Sequence, residues 1–183
     1  MDPSLATKLK ETLFHSGGAA NVYAVIDGAS CENLLRKLDE LAPENCCLYA
    51  GDLAADLKEV APYLVFLKED DLFTKWLLAN FFGKAWCIFA RSTAGFSAVR
   101  KHFRTFLMVK SPNGETLYFR YYDPRVLGIY LPTTNEEERN IVFGAISAYY
   151  CETLSGEFIQ FRQNAGQLQV SNSFKLTEMT NTN

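Results

Sequence analysis

Three short apolar runs, NVYAVIDG (21–28), YLVFL (63–67) behind Pro62 and KAWCIFAR (84–91), constrain the fold more than any other feature. Each has the length of a strand, and each is apolar at consecutive rather than alternate positions. A continuous apolar run such as YLVFL is typical of a buried strand. The intervening segments have helical spacing. Leu5, Leu9, Leu13 and Phe14 form one stripe over residues 4–15. Leu34, Leu35, Leu38 and Leu41 form another behind Ser30, the expected N-cap, and Pro43 closes it. A short strand is expected at 46–51, one or two helical turns in DLAADLKEV, a helix from Asp70 and Asp71 to Asn80, and a helix over 97–103 with a basic exposed face.

In TFLMVKSPNGETLYFRYYD, Asn113-Gly114 between two apolar runs signals a hairpin. Its strands carry apolar side chains on both faces, which predicts a central place in the sheet. Strand alternation would put Leu117, Phe119 and Tyr121 on one face and Tyr118, Arg120 and Tyr122 on the other. Asp123-Pro124 then opens a helix, with a carboxylate at the N-cap and proline where no N–H is needed; Pro132 ends it near Leu131. Thr133-Thr134-Asn135 before Glu136 and Glu137 marks the next helix start, running to about Gly144. Residues 157–170 predict a second hairpin turning at Asn164-Ala165-Gly166, with a polar tail from Ser171. The expected fold is α/β in the mixed α+β sense: a central mixed β-sheet flanked by helices. Residues 1–20 form an N-terminal helix, 21–132 the core, and 133–183 a short C-terminal lobe of helix, hairpin and tail.

Composition narrows the function classes. Eighteen Lys and Arg against 21 Asp and Glu give a net charge of −3, which offers no electrostatic reason to bind nucleic acid or an anionic membrane. No apolar run approaches the ~20 residues of a membrane helix, and the start lacks the order of a signal peptide, so a cytoplasmic location is expected. Five cysteines without a CxxC fit reduced, buried thiols, and no metal site or cofactor is expected. Aromatic residues reach 14%, a composition shared by large cores and protein-binding surfaces.

Catalytic patterns are thin. There is no GxSxG, GxxxxGK[ST] or GxGxxG, and His15 and His102 are the only imidazoles. The nearest approach to an acid–base set is Asp27, His102 and Asp123, placed at strand ends and in a basic helix; a small α/β enzyme built on them is the alternative reading. Asp27 is equally a turn residue before Gly28, and Asp123 a helix cap. Arg120 and Arg125 need acceptors if buried, and Asp27 and Asp123 are the candidates. Arg and Tyr are also typical anchor residues of protein interfaces, which singles out Tyr118, Arg120, Tyr122 and Arg125 as partner-binding candidates.

YAVIDGA (23–29), LYAGDLAADLKEVAPYLVFL (48–67), AVRKHFRTFLMVKSPNGETLYFRYYDPRVLGIYLP (98–132) and FGAISAYY (143–150) occur in this order. Together they resemble the type VI secretion effector chaperone (adaptor) family over roughly residues 21–150. The resemblance implies a non-enzymatic, cytoplasmic protein that holds a secreted toxic effector and helps load it onto the VgrG spike. The family's signature positions correspond to Asp27, Gly28, Pro62, Leu64, His102, Arg120, Asp123, Pro124 and Arg125. This chain is short after the signature, where longer members carry a larger variable lobe tied to cargo choice.

Overall fold

A computed structural model describes residues 3–111 and 113–175. The three apolar runs become β1 (Asn21–Asp27), β3 (Pro62–Leu67) and β4 (Cys87–Ser92), neighbours in a seven-stranded sheet. The other members are β2 (Asn45–Cys47), β7 (Ala148–Glu152), β8 (Glu157–Asn164) and β9 (Gln167–Lys175), in the order β2-β3-β1-β4-β7-β8-β9. A separate two-stranded ribbon pairs β5 (Met108–Lys110) with β6 (Thr116–Tyr118). The helices are α1 (Pro3–Lys10), continued by a π-helical turn over Glu11–His15, then α2 (Leu34–Leu41), α3 (Ala55–Val60), α4 (Leu72–Asn80), α5 (Phe96–Thr105), α6 (Pro124–Thr133) and α7 (Glu136–Phe143).

Alternation along β1 shows why both faces need cover. Val22, Ala24 and Ile26 pack with Leu9 of α1, Leu34 and Leu38 of α2, and Phe73 and Leu77 of α4. Tyr23 and Val25 point the other way, into Phe103 of α5, Leu127 of α6 and Val142 of α7. The sheet therefore lies between two helical layers, as the consecutive apolar runs require. Fully burying each Val, Leu, Ile or Phe among them stabilises the fold by about 1.5–3 kcal/mol.

The α+β class with a flanked sheet stands, but the sheet is not mixed: every pairing is antiparallel. The unit β3–α4–β4 joins two strands that run the same way, as a helical crossover does. β1 sits between them and pairs antiparallel with each, so the parallel neighbours never touch.

The expected central hairpin is corrected more sharply. β5 and β6 are three residues each, exposed throughout, and stand apart from the main sheet. The chain leaves β6 at Tyr118, so the two-faced alternation through Tyr122 does not form, and Tyr121 and Tyr122 are both buried. The centre of the sheet is β1, β4 and β7 instead, and the sequence predicted no strand at β7. β9 also runs past Ser171 to Lys175, where a polar tail was expected; residues 176–183 lie outside the described part. Ser30 does not cap α2. Its hydroxyl turns back to Asp27, and Asn33 precedes the helix in a left-handed conformation.

Candidate functional site

At the C-terminal end of β1 the buried Asp27 carboxylate collects three donors. The Ala29 N–H reaches Oδ1 at 3.1 Å, the Ser30 hydroxyl reaches Oδ2 at 2.8 Å, and Arg120 Nη2 reaches Oδ2 at 2.6 Å. The first two close the turn after β1. The third ties that turn to the segment between β6 and α6. Gly28 is required by proximity rather than by its dihedral angles: a Cβ there would lie 2.5 Å from the carbonyl oxygens of both Glu59 and Ala61. Its N–H donates to the Ala61 carbonyl at 3.0 Å. Pro62 opens β3 opposite Asp27, at a strand start where the missing N–H is tolerated.

Asp123 is the N-cap of α6, and Pro124 occupies its first turn as the sequence predicts. Its Oδ1 accepts from the Arg125 backbone N–H at 2.9 Å and from Arg125 Nε at 2.9 Å, and its Oδ2 accepts from Arg125 Nη2 at 2.6 Å. Burial pushes the Asp123 carboxyl up, but these donors outweigh it and hold the group below its usual value. The two ion pairs are neighbours: Arg120 also acts on Asp123, and Arg125 acts on Asp27 and Glu152. Both aspartates are buried, while the Arg120 and Arg125 side chains remain 47% and 50% exposed.

His102 stands elsewhere, between α5 and the end of α7. Its Nε2 lies 2.9 Å from the Val142 carbonyl, which also accepts the Tyr149 hydroxyl at 2.6 Å. A carbonyl only accepts, so Nε2 carries a proton. Burial lowers its pKa, partly countered by the Val142 carbonyl. The ring lies over Gly144, whose Cβ would come 2.6 Å from Cε1; with φ at 43° the position is doubly restricted to glycine. Asp27 and Asp123 are thus engaged by their arginines and backbone donors, and His102 by the end of α7. The three are not assembled as a general acid–base set.

The tyrosines divide. Tyr118, on the exposed ribbon, packs its ring 5.2 Å from that of Tyr49. Tyr122 is interior, its hydroxyl pushed well above the usual range by burial and then by Tyr49.

Several anchoring residues escaped the sequence reading. Glu152, buried at the end of β7, accepts from the Gly83 and Ala85 N–H groups at 2.5 and 2.6 Å. Burial raises its pKa against those donors. Arg91 is buried at the end of β4 and donates to the Gly18 carbonyl at 2.6 Å and Ser16 Oγ at 3.1 Å, fixing the segment after α1. Arg104 donates to the Cys47 and Tyr49 carbonyls at 3.0 and 2.9 Å, joining α5 to the β2 edge. The available signal for Arg91 and Glu152 was a charge closing an apolar run. Among the described residues no group of His, Cys, Asp or Glu could hold a metal ion, and no helix is long and apolar enough to cross a membrane.

Residues 22–140, about two thirds of the chain, match the family described as "Domain of unknown function (DUF4123)". The chain belongs to the DUF4123 family. The match takes in both ion pairs, His102 and the ribbon, and ends inside α7, so β7, β8 and β9 lie beyond the DUF4123 stretch. No curated protein and no solved structure matches the chain.

Proposed function

We propose that this DUF4123 chain is a binding module: a cytoplasmic chaperone or adaptor that holds a type VI secretion effector and helps load it onto the VgrG spike. The ordered motifs resembling that chaperone family support the reading. So does the way their charges are used. Asp27, Arg120, Asp123 and Arg125 join a turn to a helix start and act as scaffold. Exposed apolar residues such as Met108, Leu117 and Tyr118 meanwhile leave surface of the composition that protein interfaces favour.

The test is co-expression of the tagged chain with the effector and VgrG encoded by neighbouring genes, followed by affinity purification. The expected result is recovery of both partners and a higher soluble yield of the effector. Recovery of neither in mild salt would overturn the proposal.

A further inference from the structure

Away from the paired charges, the β5–β6 ribbon forms one wall of an apolar groove. Its cross-strand pairs are Met108 with Tyr118, Val109 with Leu117 and Lys110 with Thr116. Alternation puts Met108, Lys110, Thr116 and Tyr118 on one face and Val109 with Leu117 on the other. Large apolar side chains are therefore exposed on both faces: Met108 is 55% exposed, Leu117 49% and Tyr118 60%. A two-stranded ribbon is marginal on its own. The groove, about 350 Å³, runs between this wall and α3 and is lined by Tyr49, Leu53, Leu57, Val60, Met108 and Tyr118.

The charges on its α5–β5 side are one-sided. From Leu72 to Gly114 the sequence has no Asp or Glu but contains Lys75, Lys84, Arg91, Arg100, Lys101, Arg104 and Lys110. Arg104 lines the groove with its guanidinium committed to two carbonyls. Arg100 lies one turn away on the same face of α5, and Lys110 shares the ribbon face of Met108. Arg100, Lys101 and Lys110 are exposed and have no ion-pair partner among the described residues. The α3 side is acidic instead, with Asp52, Asp56 and Glu59 against Lys58, and Glu115 follows the cationic stretch in the β5–β6 turn. In a chain of net charge −3, an apolar groove with a cationic α5–β5 side selects for its opposite.

We propose that this groove docks an apolar segment of a partner protein that carries Asp and Glu along one flank, its apolar side chains against Leu57, Val60, Met108 and Tyr118 and its carboxylates toward Arg100 and Lys110. The assignment rests on the binding-module reading and names the surface and the chemistry of what it binds.

The probe is a fluorescently labelled amphipathic peptide of Leu and Glu, compared with a Leu and Lys counterpart, titrated into the full chain by anisotropy. The acidic peptide binds at least about tenfold more tightly, and raising salt from about 0.05 to about 0.5 M narrows the difference. Met108→Ala with Tyr118→Ala weakens it by about tenfold or more, as loss of apolar anchors does. Leu154→Ala, more exposed still but outside the groove, leaves binding unchanged. Equal binding of both peptides, or indifference to the double substitution, overturns the proposal. So does a concentration-dependent dimer that the double substitution dissolves, since the occupant is then a second copy. Co-purification separates the two readings: if the double variant recovers effector and VgrG as well as the parent does, the groove assignment fails and the chaperone reading survives. If the parent recovers neither, the chaperone reading fails.

Discussion

Arg120 Nη2 and Asp27 Oδ2 meet at 2.6 Å across 93 residues of sequence, and the two partners sit in different surroundings: the aspartate side chain is 1% exposed, the arginine 47%. The pair is thus a buried carboxylate closed by a half-solvated cation. Arg120→Ala removes one of three donors from a group that cannot reach water easily, and is expected to cost about 1–3 kcal/mol. The value is held below that of a fully buried pair because the arginine end is screened. Thermal melting checks it, at about 2–4 °C per kcal/mol for a chain of this size. A shift of under a degree would mean that water takes over the vacated position.

Asp123→Ala removes both the α6 cap and the acceptor for Arg125. The lost cap costs about 1 kcal/mol, and the freed guanidinium, half-exposed, adds little because water hydrates it. The sign with pH follows from the depressed carboxyl. Its stabilising contribution is complete above the ordinary value of 3.8 and is lost as pH falls through the lower folded-state value. Parent and Asp123→Ala chains should therefore differ in melting temperature at neutral pH and converge in strong acid. A constant gap at every pH would show that the carboxylate charge is not what stabilises.

His102 carries the opposite dependence to a salt-bridged histidine. Its folded pKa is below the ordinary 6.5, so above that value both states are neutral and the group contributes nothing to pH dependence. As pH falls below 6.5 the unfolded chain takes up the proton first and stability declines. His102→Gln keeps an N–H for the Val142 carbonyl without a titrating ring. The difference between the two chains isolates this histidine from His15, and the variant should lose less stability between pH 7 and 5. Parallel melting curves would sink the assignment.

Gly28→Ala forces a Cβ to within 2.5 Å of two backbone carbonyl oxygens, neither of which is the end of a flexible side chain. The turn after β1 or the α3–β3 connection must shift, at about 1–3 kcal/mol, as overpacking does. Gly95→Ala, with nothing within 4 Å, serves as the control for added volume and should cost no more than about 0.5 kcal/mol, the change of α5 N-cap from Gly to Ala. Equal effects of the two would remove the close approach as the reason for glycine at position 28.

What the sequence revealed was set by local chemistry. β1, β3 and β4 were legible because a strand covered on both faces must be apolar at every position. The starts of α4, α6 and α7 were legible because Asp71, Asp123 and Asn135 accept from backbone N–H groups within their own first turn. The turn at Gly166 was legible because its positive φ is one that glycine adopts freely. The ribbon was misplaced because an apolar strand in the core and one on an exposed wall have the same pattern; only the partner surface differs. Of the candidate site, the Asp–Arg pairs were foreseen from the need to neutralise buried charge. Which arginine meets which aspartate was not, since that depends on tertiary contacts linking the end of β1 to the segment before α6. Glu152, Arg91 and Arg104 bind backbone groups on distant segments, which leaves no local spacing to read.

The place of β7 beside β4 has a consequence for how the chain is made. β4 finishes at Ser92 and the strand that covers its second edge begins at Ala148. At about 5–20 residues per second, a ribosome needs on the order of 3–11 s to supply those 56 residues. Throughout that interval β4 presents an unpaired edge, apolar from Cys87 to Ala90, the kind that recruits strands from other chains. Slow translation between residues 92 and 148 would lengthen this exposure, and a message truncated near residue 140 would make it permanent. For a protein proposed to hold another on its way to export, the vulnerable moment is its own synthesis.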